Sequence, residues 1–300
     1  MSAEAPARPS LRGFGFLGVT ALAWGLNWPV MKAVMAEWPP YTVRVFAAAI
    51  AIAVLVTIGR AQRATLWPRR GQWSRLALGG LLNVGAWSIV APLAFYWLDA
   101  SEAAIIAYTM PVWATILAWP ILGERPTLLR IAALALGLAG VVLLMGGTWA
   151  TQGTDALIGK LPGVAAILGT ALMFATGAVI TKRWPVQMAP APMLAWQLAF
   201  GAAVPAIIAL FFESLDLARV TWVGWACLLY LGLAAQCLAF FSWFAALRLL
   251  PAGVAATGNL MVPVVGVLSS GWLLGESLGL RHAAALALTL GAVVLVARGR

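Results

Sequence analysis

Long apolar stretches alternate along this chain with short breaks marked by charge, proline or glycine. Crossing the hydrocarbon core of a bilayer takes about 20 helical residues at ~1.5 Å each. Ten such stretches can be drawn, approximately over 13–32, 39–59, 76–97, 102–122, 127–147, 163–182, 191–212, 222–244, 252–274 and 282–297. They predict an all-α integral membrane protein with ten transmembrane helices. The longest connectors run to about sixteen residues, too short for a folded soluble domain, so function is expected among the helices.

The pattern is written twice. Pro111 stands twelve residues before Gly123-Glu124 and Pro263 twelve before Gly275-Glu276, an offset of 152. The same register pairs Ala133-Leu134-Ala135-Leu136 with Ala285-Leu286-Ala287-Leu288, and Val141-Val142-Leu143 with Val293-Val294-Leu295. Each copy holds an odd number of predicted crossings, so the second is expected to lie upside down relative to the first. The expected organisation is two inverted five-helix repeats, 13–147 and 163–297. The first stretch is longer than the apolar core of a signal peptide. Its Thr20-Ala21-Leu22 and Lys32 align with Thr170-Ala171-Leu172 and Lys182, so it is expected to remain as a helix.

Composition agrees with a lipid solvent: 63% of residues are hydrophobic and 9% charged, too few polar groups to cover a soluble domain. The net charge of +10 resembles that of a nucleic-acid binder, but its placement argues for topology. With the N-terminus inside, fourteen of the nineteen Lys and Arg fall in cytoplasmic segments, while Glu37, Asp99, Glu102, Asp155, Glu213, Asp216 and Glu276 fall outside. Anionic lipid is the expected contact of the basic side, and no nucleic-acid partner is expected. Cys227 and Cys237 lie about 15 Å apart along one predicted helix, beyond the reach of a disulfide. Most of the sixteen Trp fall near predicted helix ends, where Trp anchors the interface.

Polar groups inside a membrane are costly and mark function, and few occur here. The first span carries Trp24, Asn27 and Trp28 before Pro29, which removes a backbone hydrogen bond and favours a kink near Gly25. Spans 3 and 8 carry an amide followed one turn later by a ring, Asn83 with Trp87 and Gln236 with Phe240. Such pairs suit a polar head joined to a flat apolar body; hydrogen bonding between helices is the structural alternative. In span 4, Ala104, Tyr108, Pro111 and Thr115 share a stripe, matched in span 9 by Ala256, Leu260, Pro263 and Val267 beside Asn259. Span 6 offers Phe174 and Thr176; span 8 adds Tyr230 and Trp243. Arg44, near the outer end of span 2, is the one cation away from a helix end. It is expected to snorkel toward Glu37 or Asp99, with binding of a substrate carboxylate as the alternative.

No Asp or Glu falls mid-span, and the sole histidine, His282, begins the last span. A proton relay usually needs such groups, so tight proton coupling is not expected. An enzyme would need several of them convergent on one site. Neither catalytic residues nor a cofactor or metal is implied.

The Trp24-Gly25-x-Asn27-Trp28 stretch, Arg44-x-Phe46 and the paired Pro…Gly-Glu segments resemble those of the EamA-type drug/metabolite transporter superfamily, over about residues 13 to 297. The mid-span rings make the chain similar to the YddG-type exporters of aromatic amino acids. That resemblance implies a bacterial inner-membrane exporter, multi-pass with both termini cytoplasmic, monomeric or weakly homo-oligomeric, with a cavity between the repeats. On this reading Trp24, Trp28, Trp87, Tyr108, Phe174 and Phe240 hold an aromatic side chain, and Asn27, Asn83, Gln236 and Asn259 meet the polar head. Pro111, Gly123, Pro263 and Gly275 serve as gate hinges in alternating access. A broad exporter of drugs or small amino acids, with or without proton coupling, is the alternative; a membrane enzyme or structural protein is more remote.

Overall fold

The computed structural model describes residues 11–123, 128–250 and 258–298, which form helices with no strand among them. Seven helices among the described residues are long and apolar enough to cross a membrane: Leu11–Val34 (α1), Pro40–Ala61 (α2), Trp73–Ala94 (α3), Ala100–Leu122 (α4), Gln152–Arg183 (α6), Pro190–Phe212 (α7) and Trp222–Leu249 (α8). Three shorter apolar helices accompany them, Ile131–Gly146 (α5), Met261–Leu274 (α9) and Leu280–Leu295 (α10). Glu124 of the first Gly-Glu pair and Ala256 of the span 9 stripe lie outside the described residues.

One expected connector is helical. Residues 152–162 extend the start of α6, and the chain turns from α5 at Gly153, with φ 88°. That φ is open to glycine at no steric cost.

The two halves of the sequence interlock through backbone approaches that glycine permits. A Cβ on Gly25 of α1 would stand 2.5 Å from Val265 of α9, and one on Gly80 of α3 would stand 2.7 Å from the Gln197 carbonyl of α7. A Cβ on Gly232 of α8 would stand 3.0 Å from Ile50 of α2, and one on Gly140 of α5 would stand 3.0 Å from Ala285 and Thr289 of α10. Small residues at contacts let apolar helices pack where lipid offers no hydrophobic drive.

Spans 3 and 8 are not the regular α-helices the sequence predicts. Gly80–Val90 and Tyr230–Leu238 are π-helical, closing with five-residue bonds from Ala91 N to Ala86 O and from Ala239 N to Ala234 O. Such runs are rare and cluster at functional sites. Each run contains the glycine that meets a helix of the other half, Gly80 on α7 and Gly232 on α2. This close backbone approach is a tertiary feature, which propensity does not encode.

The duplicated prolines and glycines have matching backbone settings. α4 is interrupted at Tyr108–Thr109 and resumes with Pro111 in its first turn; the turn at Asn259–Leu260 likewise precedes Pro263 in α9. Gly123 and Gly275 end these helices in the left-handed conformation, at φ 77° and 67°, the usual glycine stop.

Candidate substrate site

Aromatic rings from four helices line the interior in two groups. Trp24 of α1 meets Phe240 of α8 edge to face, with centroids 5.1 Å apart, and Trp243 at 6.2 Å. One turn further along α1, Trp28 meets Trp87 of α3 at 5.9 Å and Phe95 at 6.4 Å. Trp87 continues to Phe174 of α6 at 6.1 Å. These separations fall in the favourable range for edge-to-face pairs. The Trp24 indole is held by a 3.1 Å bond to the Ala235 carbonyl inside the second π run, and Tyr230 donates to the Ala23 carbonyl at 2.8 Å.

Tyr108 borders the first group without a ring contact of its own among the described residues. It is buried at the break in α4, packed with Ala21 and Val262 beside Trp24. Thr176, offered by the sequence as a second polar group on α6, turns its hydroxyl back to the Leu172 carbonyl at 2.8 Å. Asn27 is half-buried beside the α1 break.

Three of the four amides picked out by sequence share one property. The buried atoms Asn83 Oδ1, Gln236 Oε1 and Asn259 Oδ1 have no hydrogen-bond partner. Asn83 makes one long bond through its amide nitrogen, 3.4 Å to Thr181 Oγ1. An unsatisfied buried acceptor costs roughly 1–3 kcal/mol; these three stand on α3, on α8 and in the turn before α9, and Asn83 Oδ1 faces Gly177 of α6.

The two ends of the bundle differ in charge. Glu4 and Glu124 lie outside the described residues, and the other seven acids all stand at one end, hereafter the acidic end. Three of them follow the end of one helix and cap the start of another. Glu37, after α1, accepts from Thr221 N at 2.7 Å and its hydroxyl at 2.8 Å, before α8. Glu213, after α7, accepts from Tyr41 N and Thr42 N of α2 at 3.0 and 2.7 Å. Glu276, after α9, accepts from Ala100 N and Ser101 N of α4 at 2.7 and 3.0 Å. Carboxylates are favoured there because the first amides of a helix lack internal partners and carry its positive dipole end. Lys32 bridges Asp99 at 2.9 Å and Glu276 at 3.2 Å, and Lys160 binds Glu102 at 2.7 Å. Glu102 also closes a capping box with Asp99.

Arg44 does not make the expected pairing with Glu37 or Asp99. Glu37 is committed to Thr221 and Asp99 to Lys32, while the buried Arg44 Nε has no partner. His282 accepts from Gly279 N at 3.3 Å at the start of α10.

At the basic end, a cavity of about 340 Å³ lies between α2, α7 and α8. Leu55, Leu194, Phe240 and Phe244 line it, and Gln62 and Arg248 stand toward its outer end. Phe240 belongs to both places, in ring contact with Trp24 and among the residues that line this cavity. Sequence reasoning missed the cavity, because its walls are ordinary apolar positions brought together by the crossing of α8 over α2 and α7.

A bundle of apolar helices with such a polar, ring-lined interior belongs to the class of multi-pass membrane transporters. The sequence model of the EamA-like transporter family matches residues 11–146 and 161–298, and the chain belongs to that family. It is 26% identical over 262 residues to the uncharacterized transporter YoaV of Bacillus subtilis, covering 86% of this chain and 87% of that protein. It is 24% identical over 294 residues to a protein of Salmonella typhimurium described as a "probable amino-acid metabolite efflux pump", covering 94% of each. A solved crystal structure aligns over 97% of this chain and 96% of its own, with a TM-score of 0.67 at 21% identity. That likeness is one of fold alone.

Proposed function

We propose that the protein exports amino acids with aromatic side chains across the bacterial inner membrane by alternating access. The observation that carries this reading is the pair of ring groups, Trp24 with Phe240 and Trp28 with Trp87 and Phe174, on helices that also carry the unpartnered Asn83 Oδ1 and Gln236 Oε1. The rings offer edges and faces to a flat side chain, and the oxygens offer acceptors to an ammonium. The relative in Salmonella, described as moving amino-acid metabolites, agrees with that cargo class.

The same reading takes the molecule as ten transmembrane helices in two inverted five-helix repeats, 13–147 and 163–297, with both termini and the basic end cytoplasmic. Loop charge supports the orientation. The cross-half caps then close the outer mouth, and the basic-end cavity is the inner vestibule behind Phe240. The breaks before Pro111 and Pro263 and the left-handed glycines Gly123 and Gly275 serve as hinges that let α4 and α9 bend. Transport runs down the substrate gradient, without a cofactor and without tight proton coupling, in a monomer or weak homo-oligomer.

Flux of labelled phenylalanine or tryptophan into proteoliposomes, with and without a pH gradient, tests this directly. Equal rates for wild type and a Trp87→Ala, Tyr108→Ala double variant would remove the aromatic site. The apolar lining of the basic-end cavity favours one second reading, a broad exporter of apolar drugs or small amino acids. In that case aromatic amino acids would fail to compete with the transported solute.

A further inference from the structure

Arg44 is the residue that the reading of the site leaves unused. It stands four residues from Pro40, about 6 Å into α2. Its Nε is buried without an acceptor, and the nearby carboxylates are occupied. Glu37 holds Thr221, Asp99 holds Lys32, and Glu213 caps α2 itself through Tyr41 N and Thr42 N. A guanidinium cannot shed its proton to escape this situation, and one held in a membrane bundle generally faces an interior path with an anionic partner.

Helical geometry places Arg44 on the side of α2 between α3 and α8. Residues Tyr41, Arg44, Ala48 and Ala51 share one stripe of α2. At one end of the stripe Tyr41 donates to the Ile89 carbonyl of α3 at 3.2 Å; at the other the Ala51 carbonyl accepts from Cys237 of α8 at 3.7 Å. Ile89 is two residues beyond Trp87, and Cys237 adjoins Gln236. On the flank beyond Arg44, Ala47 and then Val43 pack against Trp38 and against Leu228 and Leu231 of α8, so Arg44 falls between the side of α2 that meets α3 and the side that meets α8. Arg44 therefore lies between the helices that carry the rings and the orphan amides.

We propose that Arg44 binds the carboxylate of the transported solute, so that the cargo is a zwitterionic amino acid and its amide or amine is rejected. The proposal rests on the reading of the site given above and sharpens it. A planar guanidinium matches a carboxylate through parallel N–H bonds, while Asn83, Gln236 and Asn259 supply acceptors for an ammonium. The interior thus offers a partner to each charge of a zwitterion, with Arg44 nearer the acidic end and Gln236 about 10 Å deeper, beside the Cys237 that meets Ala51. A cationic amine would leave Arg44 unmatched and meet its charge, and a neutral drug would leave all four groups unsatisfied. Sites with buried polar groups reject analogues that lack the partner.

The experiment is competition against labelled phenylalanine flux in proteoliposomes, with unlabelled phenylalanine and phenylalaninamide as competitors, for wild type, Arg44→Gln and Arg44→Lys. Wild type is expected to prefer the acid over the amide by about tenfold or more, with that preference falling to within about twofold in Arg44→Gln. Arg44→Lys, which keeps charge but not the fork, should retain part of it. Thermal unfolding in detergent with each competitor supplies a readout independent of flux. The proposal is overturned if Arg44→Gln keeps the acid preference, or if it unfolds at lower temperature while the folded fraction still prefers the acid. A wild type that moves threonine in place of phenylalanine removes the aromatic reading alone, and the same comparison with threoninamide then decides Arg44. A wild type that moves neither overturns both.

Discussion

At the acidic end, carboxylates and lysines tie helices of the two halves together at 2.7 to 3.2 Å, whereas at the basic end apolar side chains stand around an open volume of about 340 Å³. The difference follows from where the acids are. A helix start can be capped from another helix only if a carboxylate reaches it, and among the described residues the carboxylates all stand at one end. Ionic caps are strong when dry and easily replaced by water when wet. They can hold a mouth shut and still release it. Contacts between apolar chains have no such switch, so the basic end depends on ring position instead.

The comparison can be broken most sharply at Glu276, whose side chain is only 7% exposed and serves Lys32 and two amides of α4. Removing one member of a buried pair typically costs about 3–5 kcal/mol. Glu276→Ala is therefore expected to open the acidic end and lower thermal stability, with a cysteine placed at position 101 becoming reactive to a membrane-impermeant thiol reagent. Unchanged reactivity would mean that the mouth is held by packing alone. Gly25→Ala comes next. Its methyl would meet Val265, and forcing bulk into a packed contact costs roughly 1–3 kcal/mol. Gly15→Ala, with open space around it, should leave the unfolding temperature within error, and equal effects of the two would refute the close approach of α1 and α9.

A smaller effect is expected at the other end. Phe240→Ala joins the basic-end cavity to the space beside Trp24, so a thiol reagent from that side should reach a cysteine at position 236 several-fold faster. Its cost in stability should stay below the ~3–5 kcal/mol of a fully buried Phe→Ala, since Phe240 already borders a cavity. The smallest change is predicted for Asp216→Ala. Its pair with Arg219 has side chains 59% and 84% exposed, and surface pairs contribute about 0–1 kcal/mol. A loss comparable to that of Glu276→Ala would show that charge at this end stabilises by number rather than by burial.

Much of this was legible in sequence where the signal is local. Pro111, Pro263, Gly123 and Gly275 act through their own backbone angles, and the structure sets them at matching breaks and stops. Trp24, Trp28, Trp87, Phe174 and Phe240 could be chosen as mid-span rings, and each of the five is joined to another by a ring contact across helices. The membrane class and family follow from apolar length and the doubled motif. What stayed hidden depends on distant partners. The π runs coincide with the places where Gly80 and Gly232 meet other helices. Glu276 reads in sequence as an outer acid, and only the fold brings it to the start of α4. Arg44 looked free to reach Glu37 or Asp99 until other donors were seen to occupy both.

The capping of α4 by Glu276 also bears on speed. If the acidic end opens once per cycle, its hydrogen bonds must be exchanged for water each time, and every 1.4 kcal/mol of their net strength slows that step about tenfold. Because one carboxylate serves both Lys32 and the helix start, a single conservative change, Glu276→Gln, would weaken the lock while keeping its shape. Turnover could then rise while the resting seal grew leakier, which makes this one side chain a setting for the trade between rate and tightness.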